Sequence, residues 1–283
     1  MIIQDTTLSA SRIGLGTHSL HRLASAGARQ RLLAVAHELG LSYFDTAPSY
    51  GAGIAEAELG RFLRDKRSGV VLSTKFGIPS SRLGARIPGW NYGAMAGRLV
   101  KRLLGRNRGS KLPPRDFSAR RAQSSVEDSL RALQTDYIDV FHLHEPTLDL
   151  LGDAEHLARA LEHLKAAGKV RYVGLSGRAA ACASIARRQP RLAEVLQLEA
   201  PAGADGLPDA IEADTAAAVT FWEFAPGTAP AGLVRATVER LLAAAPQSAT
   251  LVSTNSEANL RAAVAILNNL HAAAPPSATS SLA

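Results

Sequence analysis

Phe-Asp-Thr-Ala-Pro-Ser-Tyr-Gly occupies residues 44–51 and overlaps the end of a short apolar run, 41–44, that follows Gly40. An apolar run of this length between a glycine and turn residues is typical of a buried strand. Asp45 therefore stands at the C-terminal end of a predicted strand, and Tyr50 lies on the loop that follows. Because an unpaired charge is costly away from water, we expect Asp45 to have a partner.

Two later strand-like runs end in residues that can interact with this pair. Lys75 and His144 are each the last residue of an apolar run. In an α/β barrel the carboxyl ends of the strands converge on one face, and that face carries the chemistry. We therefore expect Asp45, Lys75, His144 and Tyr50 to meet there.

The rest of the chain alternates between strand and helix patterns. Eight strands are predicted, at 11–17, 41–45, 70–75, 137–144, 170–176, 193–198, 218–224 and 250–254. Helical spacing of apolar residues predicts helices at 28–39, 54–63, 118–133, 155–167, 179–188, 233–243 and 257–270, with a short helix as one interpretation of 207–213. Eight alternating repeats indicate a single-domain (β/α)8 TIM barrel over residues 1–283. An open doubly wound sheet is the alternative, but its phosphate-binding glycine loop is missing from the first strand.

Composition is consistent with one enzyme-sized domain. The chain has 283 residues, of which 46% are hydrophobic and 20% charged. The N-terminal residues lack a secretory pattern, and no apolar run reaches the roughly 18 residues of a membrane span. Cys182 is the single cysteine, so no intramolecular disulfide can form, and we expect a cytoplasmic protein with Cys182 as a small buried apolar side chain.

Four motifs together resemble the aldo-keto reductase family. They are the octapeptide at 44–51, Ser-Thr-Lys-Phe-Gly at 73–77, Asp-Tyr-Ile-Asp-Val at 136–140 and His-Glu-Pro at 144–146. The resemblance runs from about Ile13 to Leu267. It implies a catalytic tetrad of Asp45, Tyr50, Lys75 and His144 and an NADP(H)-dependent reduction of an aldehyde or ketone on an α/β barrel.

The same residues support this chemistry on physical grounds. Carbonyl reduction needs a hydride from a cofactor and a proton from a nearby acid. A free phenol such as that of Tyr50 has a pKa of about 10, and an ammonium about 4 Å away would lower it by up to about three units. Asp45 would offset part of that effect while holding Lys75 protonated, and His144 would orient the carbonyl oxygen.

The resemblance also implies cofactor contacts, and here the chain departs from the family. Ser176 matches the family's carboxamide-binding serine, but Gly177 replaces the asparagine that usually follows it. The remaining implied contacts are Gln197 for the carboxamide, Trp222 (or Phe221 or Phe224) for stacking on the nicotinamide, and Ser253, Asn255 and Asn259 for the phosphates. Asn259 stands where the family has an arginine for the ribose 2′-phosphate. The resemblance favours NADP(H), while the residues themselves leave NAD(H) open.

Alternatives remain for several of these features. A cofactor-sensing barrel with little turnover would account for the missing cofactor contacts, and an isomerase or lyase could use Tyr50 as a base. We expect His142 to be a hydrogen-bonded interior histidine and not a reactant. No ligand cluster indicates a metal site.

Residues 78–115 are too long for an ordinary connection and contain nine basic residues but no acidic one. Without these nine, the formal charge of +7 would be −2. The pattern at 96–106 predicts a short basic amphipathic helix, either a lid packed on the barrel or a docking element for an anionic substrate, carrier or surface. Binding of nucleic acid is not favoured, because Trp90 and Tyr92 are the only aromatic residues of 78–115 that could stack on bases. Residues 271–283 are expected to form a loose tail.

Overall fold

The computed structural model describes residues 3, 6–80, 114–199, 217–223 and 249–273. The strands are β1 (Ile13–Gly16), β2 (Tyr43–Asp45), β3 (Val71–Phe76), β4 (Ile138–His144), β5 (Val170–Gly177), β6 (Val195–Glu199), β7 (Ala217–Glu223) and β8 (Ala249–Ser253). The α-helices in this part of the chain are α1 (Ala26–Glu38), α2 (Ile54–Leu63), α3 (Ala119–Leu133), α4 (Ala154–Ala166), α5 (Ala179–Arg188) and α6 (Glu257–Ala273).

The strands form one parallel sheet in chain order, and β8 pairs with β1 to close it. Asp45 on β2 is in register with Ser73 on β3, and Lys75 is in register with His142 on β4. These neighbouring positions fix which polar side chains meet inside the sheet.

Apolar side chains pack on both sides of the sheet. The inner cluster includes Tyr43, Val71, Val140 and Val195, together with Leu8 from the N-terminal segment. The outer clusters fill the space between the strands and the helices, as the helical spacing of apolar residues requires. The polar residues near the strand ends therefore lie above a packed apolar floor.

The predicted parallel α/β fold is confirmed. Most predicted elements in the described ranges agree with the observed ones within about two residues, which is the usual uncertainty of helix ends. At the C-terminus, α6 continues to Ala273, so residues 271–273 are helical and do not belong to a loose tail. The predicted helices at 96–106, 207–213 and 233–243 lie outside the described residues.

Cys182 behaves as its surroundings predicted. It is fully buried on α5, and burial raises the pKa of its thiol to about 12. The thiol therefore stays protonated and packs as an apolar side chain.

Candidate active site

A buried ion pair forms the base of the site. Lys75 Nζ donates to Asp45 Oδ2 at 2.5 Å and to the Thr46 carbonyl oxygen at 3.0 Å. Ser73 Oγ donates to the other carboxylate oxygen, Asp45 Oδ1, at 2.7 Å. Both charged side chains are almost completely removed from water, so each depends on the other for compensation.

Tyr50 lies above this pair. Lys75 Nζ is 4.9 Å from the centroid of the Tyr50 ring. The ring makes edge-to-face contacts with His18, at a centroid distance of 4.9 Å, and with His144, at 5.8 Å. The structure thus brings the four predicted catalytic residues together, with His18 as an additional neighbour.

The loop that carries Tyr50 depends on a glycine. Gly51 has a φ of +61°, and a Cβ built there would lie 2.3 Å from His21 Cβ. No side chain fits this close approach between the β2–α2 loop and the segment after β1. Gly51 therefore allows Tyr50 to pack against His18.

Burial sets the charge state of the site. It lowers the pKa of Lys75, while the carboxylate of Asp45 acts in the opposite direction. Burial also lowers the pKa of His144 well below its usual value, and the positive charges of Lys75 and Arg115 add to this effect. His144 is therefore neutral at physiological pH, and a neutral imidazole has one N–H to donate.

Tyr50 and His144 face a cavity of ≈ 660 Å³. Its lining also includes Asp45 and, from the predicted cofactor contacts, Ser176, Gln197 and Ser253. A volume in this range suits a small-molecule or cofactor site. Catalytic and cofactor-contact residues therefore share one cavity.

The remaining predicted cofactor contacts are placed differently. Asn255 lines a second cavity of ≈ 350 Å³ beside the start of α1. Asn259 lies in the first turn of α6, where its N–H donates to Ser256 Oγ at 3.4 Å. On β7, the backbone of Trp222 is in register with Val252, and that of Phe221 with Leu251.

The prediction that His142 is hydrogen-bonded is wrong. Among the described residues, neither nitrogen of its ring has a hydrogen-bond partner. The ring is fully buried, and burial together with the charge of Lys75 lowers its pKa well below the usual value. A Cβ at Gly174 would lie 2.5 Å from His142 Nδ1, so no larger residue fits beside the ring. His142 is thus held neutral by packing.

Sequence reasoning missed three contributors to the site: Ser73, His18 and the ion pair of Arg115 with Glu145. Strand alternation could have revealed Ser73, which lies two residues before Lys75 and therefore on the same face of the strand. His18 lies two residues after the end of β1, in a region where barrel loops carry functional side chains. The Arg115–Glu145 pair joins residues 30 positions apart, and no local pattern indicates it.

No group of three or more metal-ligating side chains is found in the described ranges. Likewise, none of the helices described there is both long and apolar enough to cross a bilayer.

The closed parallel sheet thus places a phenol above a buried lysine–aspartate pair, as the motifs of the sequence predict. A sequence model of the Aldo/keto reductase family matches residues 12–197, and the chain belongs to this family. The match ends at Gln197. Asn259, which differs from the family pattern, therefore lies outside the matched range.

Curated relatives are consistent with this assignment. The chain is 31% identical over 180 residues to aldo-keto reductase YhdN of Bacillus subtilis, covering 62% of this chain and 45% of the relative. It is 29% identical over 180 residues to L-galactose dehydrogenase of Arabidopsis thaliana, covering 61% and 46%. These matches span about half the length of the relatives.

Solved structures match over more of the chain. A putative aldo-keto reductase from Pseudomonas aeruginosa, PA4992, is similar with a TM-score of 0.71 at 25% identity, covering 94% of this chain and 95% of the other. The holo form of AKR11C1 from Bacillus halodurans has a TM-score of 0.72 at 22% identity, covering 94% and 90%, which shows a shared fold. Neither a non-redox activity nor a purely sensing role is favoured by these relatives.

Proposed function

We propose that the protein is an NAD(P)H-dependent oxidoreductase that reduces an aldehyde or ketone to an alcohol, or catalyses the reverse reaction. The observation that carries this proposal is the buried cation of Lys75, held by Asp45 at 2.5 Å and lying 4.9 Å from the ring centroid of Tyr50. An ion pair that only stabilised the fold would not need a phenol beside it in the lining of a cavity.

Tyr50 supplies the proton. A nearby ammonium stabilises the phenolate, so Lys75 makes Tyr50 a stronger acid in the place where proton transfer is needed. Asp45 favours the protonated form of Lys75 against the effect of burial. His144 is neutral and packs against Tyr50, and it donates its one N–H to the carbonyl oxygen of the substrate. This hydrogen bond orients the carbonyl group.

The residues present fit a nicotinamide. Gln197 Oε1 is buried and has no hydrogen-bond partner among the described residues, although Gln197 lines the cavity. A carboxamide NH₂ is a donor that would satisfy this oxygen, and Ser176 offers a hydroxyl nearby. When bound, a nicotinamide dinucleotide supplies the hydride that no side chain carries. Ser176 and Gln197 would hold its carboxamide.

Ser253 and the start of α6 suit the phosphates. A Cβ at Gly16 would lie 2.3 Å from Ser253 Oγ, so the bare backbone of β1 leaves room for this hydroxyl beside the cavity. The dipole of α6 attracts anions to its N-terminus, which supports Ser253, Asn255 and Asn259 as phosphate contacts. The family resemblance favours NADP(H). Asn259, however, carries no positive charge that could pair with the 2′-phosphate. The proposal therefore includes both NADP(H) and NAD(H) as cofactors.

Strand register changes the proposed stacking residue. Leu251 lines the cavity, whereas Val252 belongs to the outer apolar cluster. Since Phe221 is in register with Leu251, and Trp222 with Val252, we favour Phe221 over Trp222 for the nicotinamide contact.

We further propose that residues 1–283 form one (β/α)8 barrel domain with 78–115 as an insertion at its catalytic face. The last residue of the insertion supports this location, because Arg115 lines the cavity four residues before α3 begins. Docking of an anionic substrate, carrier or surface on the basic residues of 81–113 stays a prediction, since those residues lie outside the described ranges.

The test follows NAD(P)H absorbance with a panel of aldehydes and ketones. The wild type should oxidise the cofactor in the presence of at least one carbonyl compound. Tyr50→Phe and Lys75→Met should each lower turnover by about 10²-fold or more while leaving cofactor affinity within a few-fold, because they affect proton transfer. Tyr137→Phe, which alters a phenol stacked on Arg67 outside the cavity, serves as the control. Wild-type turnover by Tyr50→Phe would contradict the proposal.

A further inference from the structure

Glu56 is a fully buried carboxylate on α2 that lies outside the lining of the cavity. Thr74 Oγ1 donates to Glu56 Oε1 at 2.9 Å, and the residue after Thr74 is Lys75. We propose that Glu56 is a positioning residue of the active site: together with the carboxylate of Asp45, its negative charge keeps the Lys75 side chain protonated. The inference rests on the proposed reductase function and adds to it a residue that does not contact the cavity.

The strand β3 connects Glu56 to the active site. Successive residues of a strand face opposite sides of the sheet, so Thr74 and Lys75 point in opposite directions. Lys75 donates to Asp45 inside the barrel, whereas Thr74 donates to Glu56 on the side of the helices. Thr74 and Lys75 are both fully buried. The charge of Glu56 is therefore held against the segment that carries Lys75, where salt and water screen it little.

The first turn of α2 holds Glu56 in a fixed place relative to Tyr50. Ala55 N–H donates to the Tyr50 carbonyl oxygen at 3.3 Å, and Ile54 N–H donates to the Gly51 carbonyl oxygen at 3.3 Å. Glu56 is the next residue of the same turn. The backbone of the Tyr50 loop and the carboxylate that bonds to β3 therefore belong to one hydrogen-bonded unit.

Two carboxylates act on the Lys75 ammonium. Burial lowers the pKa of Lys75, while Asp45 and, after it, Glu56 raise this pKa. The phenol of Tyr50 and the two neutral histidines of β4 also lie around Lys75. Because neither the phenol nor the histidines carry a negative charge at neutral pH, the two carboxylates offset the cost of burying the ammonium.

Glu58 provides a matched comparison on the same helix. It is also buried, but it pairs with Arg29 of α1 at 2.9 Å and with Arg61 at 3.0 Å. His37, which is also on α1, contacts the ring of Phe62. The charge of Glu58 is thus compensated by two guanidinium groups, and we expect it to have no effect on Lys75.

The experiment titrates Lys75 directly, by NMR of protein labelled with ¹³C and ¹⁵N in its lysines, and Lys75→Met identifies the signal. Glu56→Gln removes the charge but keeps an oxygen that can accept from Thr74. We expect the midpoint of the Lys75 titration to fall by about half a pH unit or more in this variant. Glu58→Gln should leave the midpoint unchanged, and circular dichroism shows whether each variant is folded.

A second variant covers the case in which Glu56→Gln does not fold. Glu56→Asp keeps the charge but draws it back from β3 by one methylene group. It should lower the Lys75 midpoint by a smaller amount, and an unchanged midpoint in this folded variant would contradict the proposal.

The pH dependence of turnover gives an independent readout. Lys75 acidifies Tyr50 only while it is charged, so the alkaline limb of the kcat profile of Glu56→Gln should move to lower pH, with KM changed by less than about twofold. If the wild type reduces no carbonyl compound, the reductase proposal fails, and the NMR titration alone decides on Glu56. An unchanged Lys75 midpoint in Glu56→Gln, or an equal fall in Glu58→Gln, would overturn the inference.

Discussion

Ser73 donates to Asp45 Oδ1 at 2.7 Å while Lys75 donates to Asp45 Oδ2 at 2.5 Å. The two donors belong to the same strand, two residues apart, and they occupy both oxygens of one carboxylate. Because Ser73 is in register with Asp45, the backbone places this hydroxyl beside the carboxylate without a loop. Ser73 therefore fixes the orientation of Asp45, and through it the position of the Lys75 ammonium beside Tyr50.

We expect Ser73→Ala to lower kcat by about tenfold while changing KM by less than about twofold, because hydrogen bonds to charged groups are worth about 1.5–3 kcal/mol. Steady-state kinetics of carbonyl reduction would measure this, and Ser73→Thr, which keeps the hydroxyl, should restore most of the loss. Ser125→Ala removes an equally buried hydroxyl from α3 that has no described partner, and should leave kcat unchanged. A larger effect on KM than on kcat would assign Ser73 to binding.

The positions of Asp45, Lys75 and His144 could be predicted because each one ends an apolar run, and the parallel arrangement brings strand ends together. This inference needs only the period of the pattern and the direction of the strands.

Glu145 could not be predicted in the same way. Its left-handed backbone depends on a hydrogen bond to Ser176 and on the absence of a side chain at Gly177, both contributed by the next strand. The missing hydrogen bonds of His142 also depend on tertiary structure, because the neighbouring strands place no donor or acceptor beside its ring nitrogens. Sequence periodicity predicts which face of a strand a residue occupies, but it does not predict whether a hydrogen-bond partner lies on that face.

His142 should make the stability of the fold depend on pH. Its pKa is lowered in the folded state, so the unfolded chain binds the proton more readily, and stability present above a pH of about 6.5 is lost as the pH falls. The free energy of unfolding of the wild type should fall more steeply than that of His142→Gln below this pH, by up to about 1.4 kcal/mol per pH unit. Urea denaturation at several pH values measures both.

The control for this prediction is His156→Gln, which replaces an exposed histidine on α4 and should keep the wild-type slope. Parallel curves for the wild type and His142→Gln would show that the folded protein accepts the proton on this ring at little cost.

Gly177→Asn introduces the residue that the family pattern has at this position, and it should destabilise this protein. The new Cβ would lie 3.1 Å from Glu145 Cα, so the backbone that carries Glu145 must shift. We expect the free energy of unfolding to fall by about 1–3 kcal/mol, as for other overpacked sites. Gly69→Asn, where an added Cβ would have no atom within 4 Å, should change it by less than about 0.5 kcal/mol. Equal stabilities would mean that the chain at Glu145 adjusts freely.

The last prediction separates Phe221 from Trp222 as the contact for the nicotinamide. Successive residues of a strand face opposite sides of the sheet, and the register pairs Phe221 with Leu251 in the cavity lining and Trp222 with Val252 in the outer apolar cluster. Aromatic stacking contributes about 0.5–1.5 kcal/mol beyond buried area, so Phe221→Leu should weaken NADPH binding by about threefold to tenfold. Trp222→Leu should weaken it by less than about twofold. Calorimetric titration of NADPH into both variants measures the difference, and circular dichroism confirms that each remains folded. The opposite order of affinities would return the contact to Trp222, and the proposed link between strand register and cofactor stacking would fail.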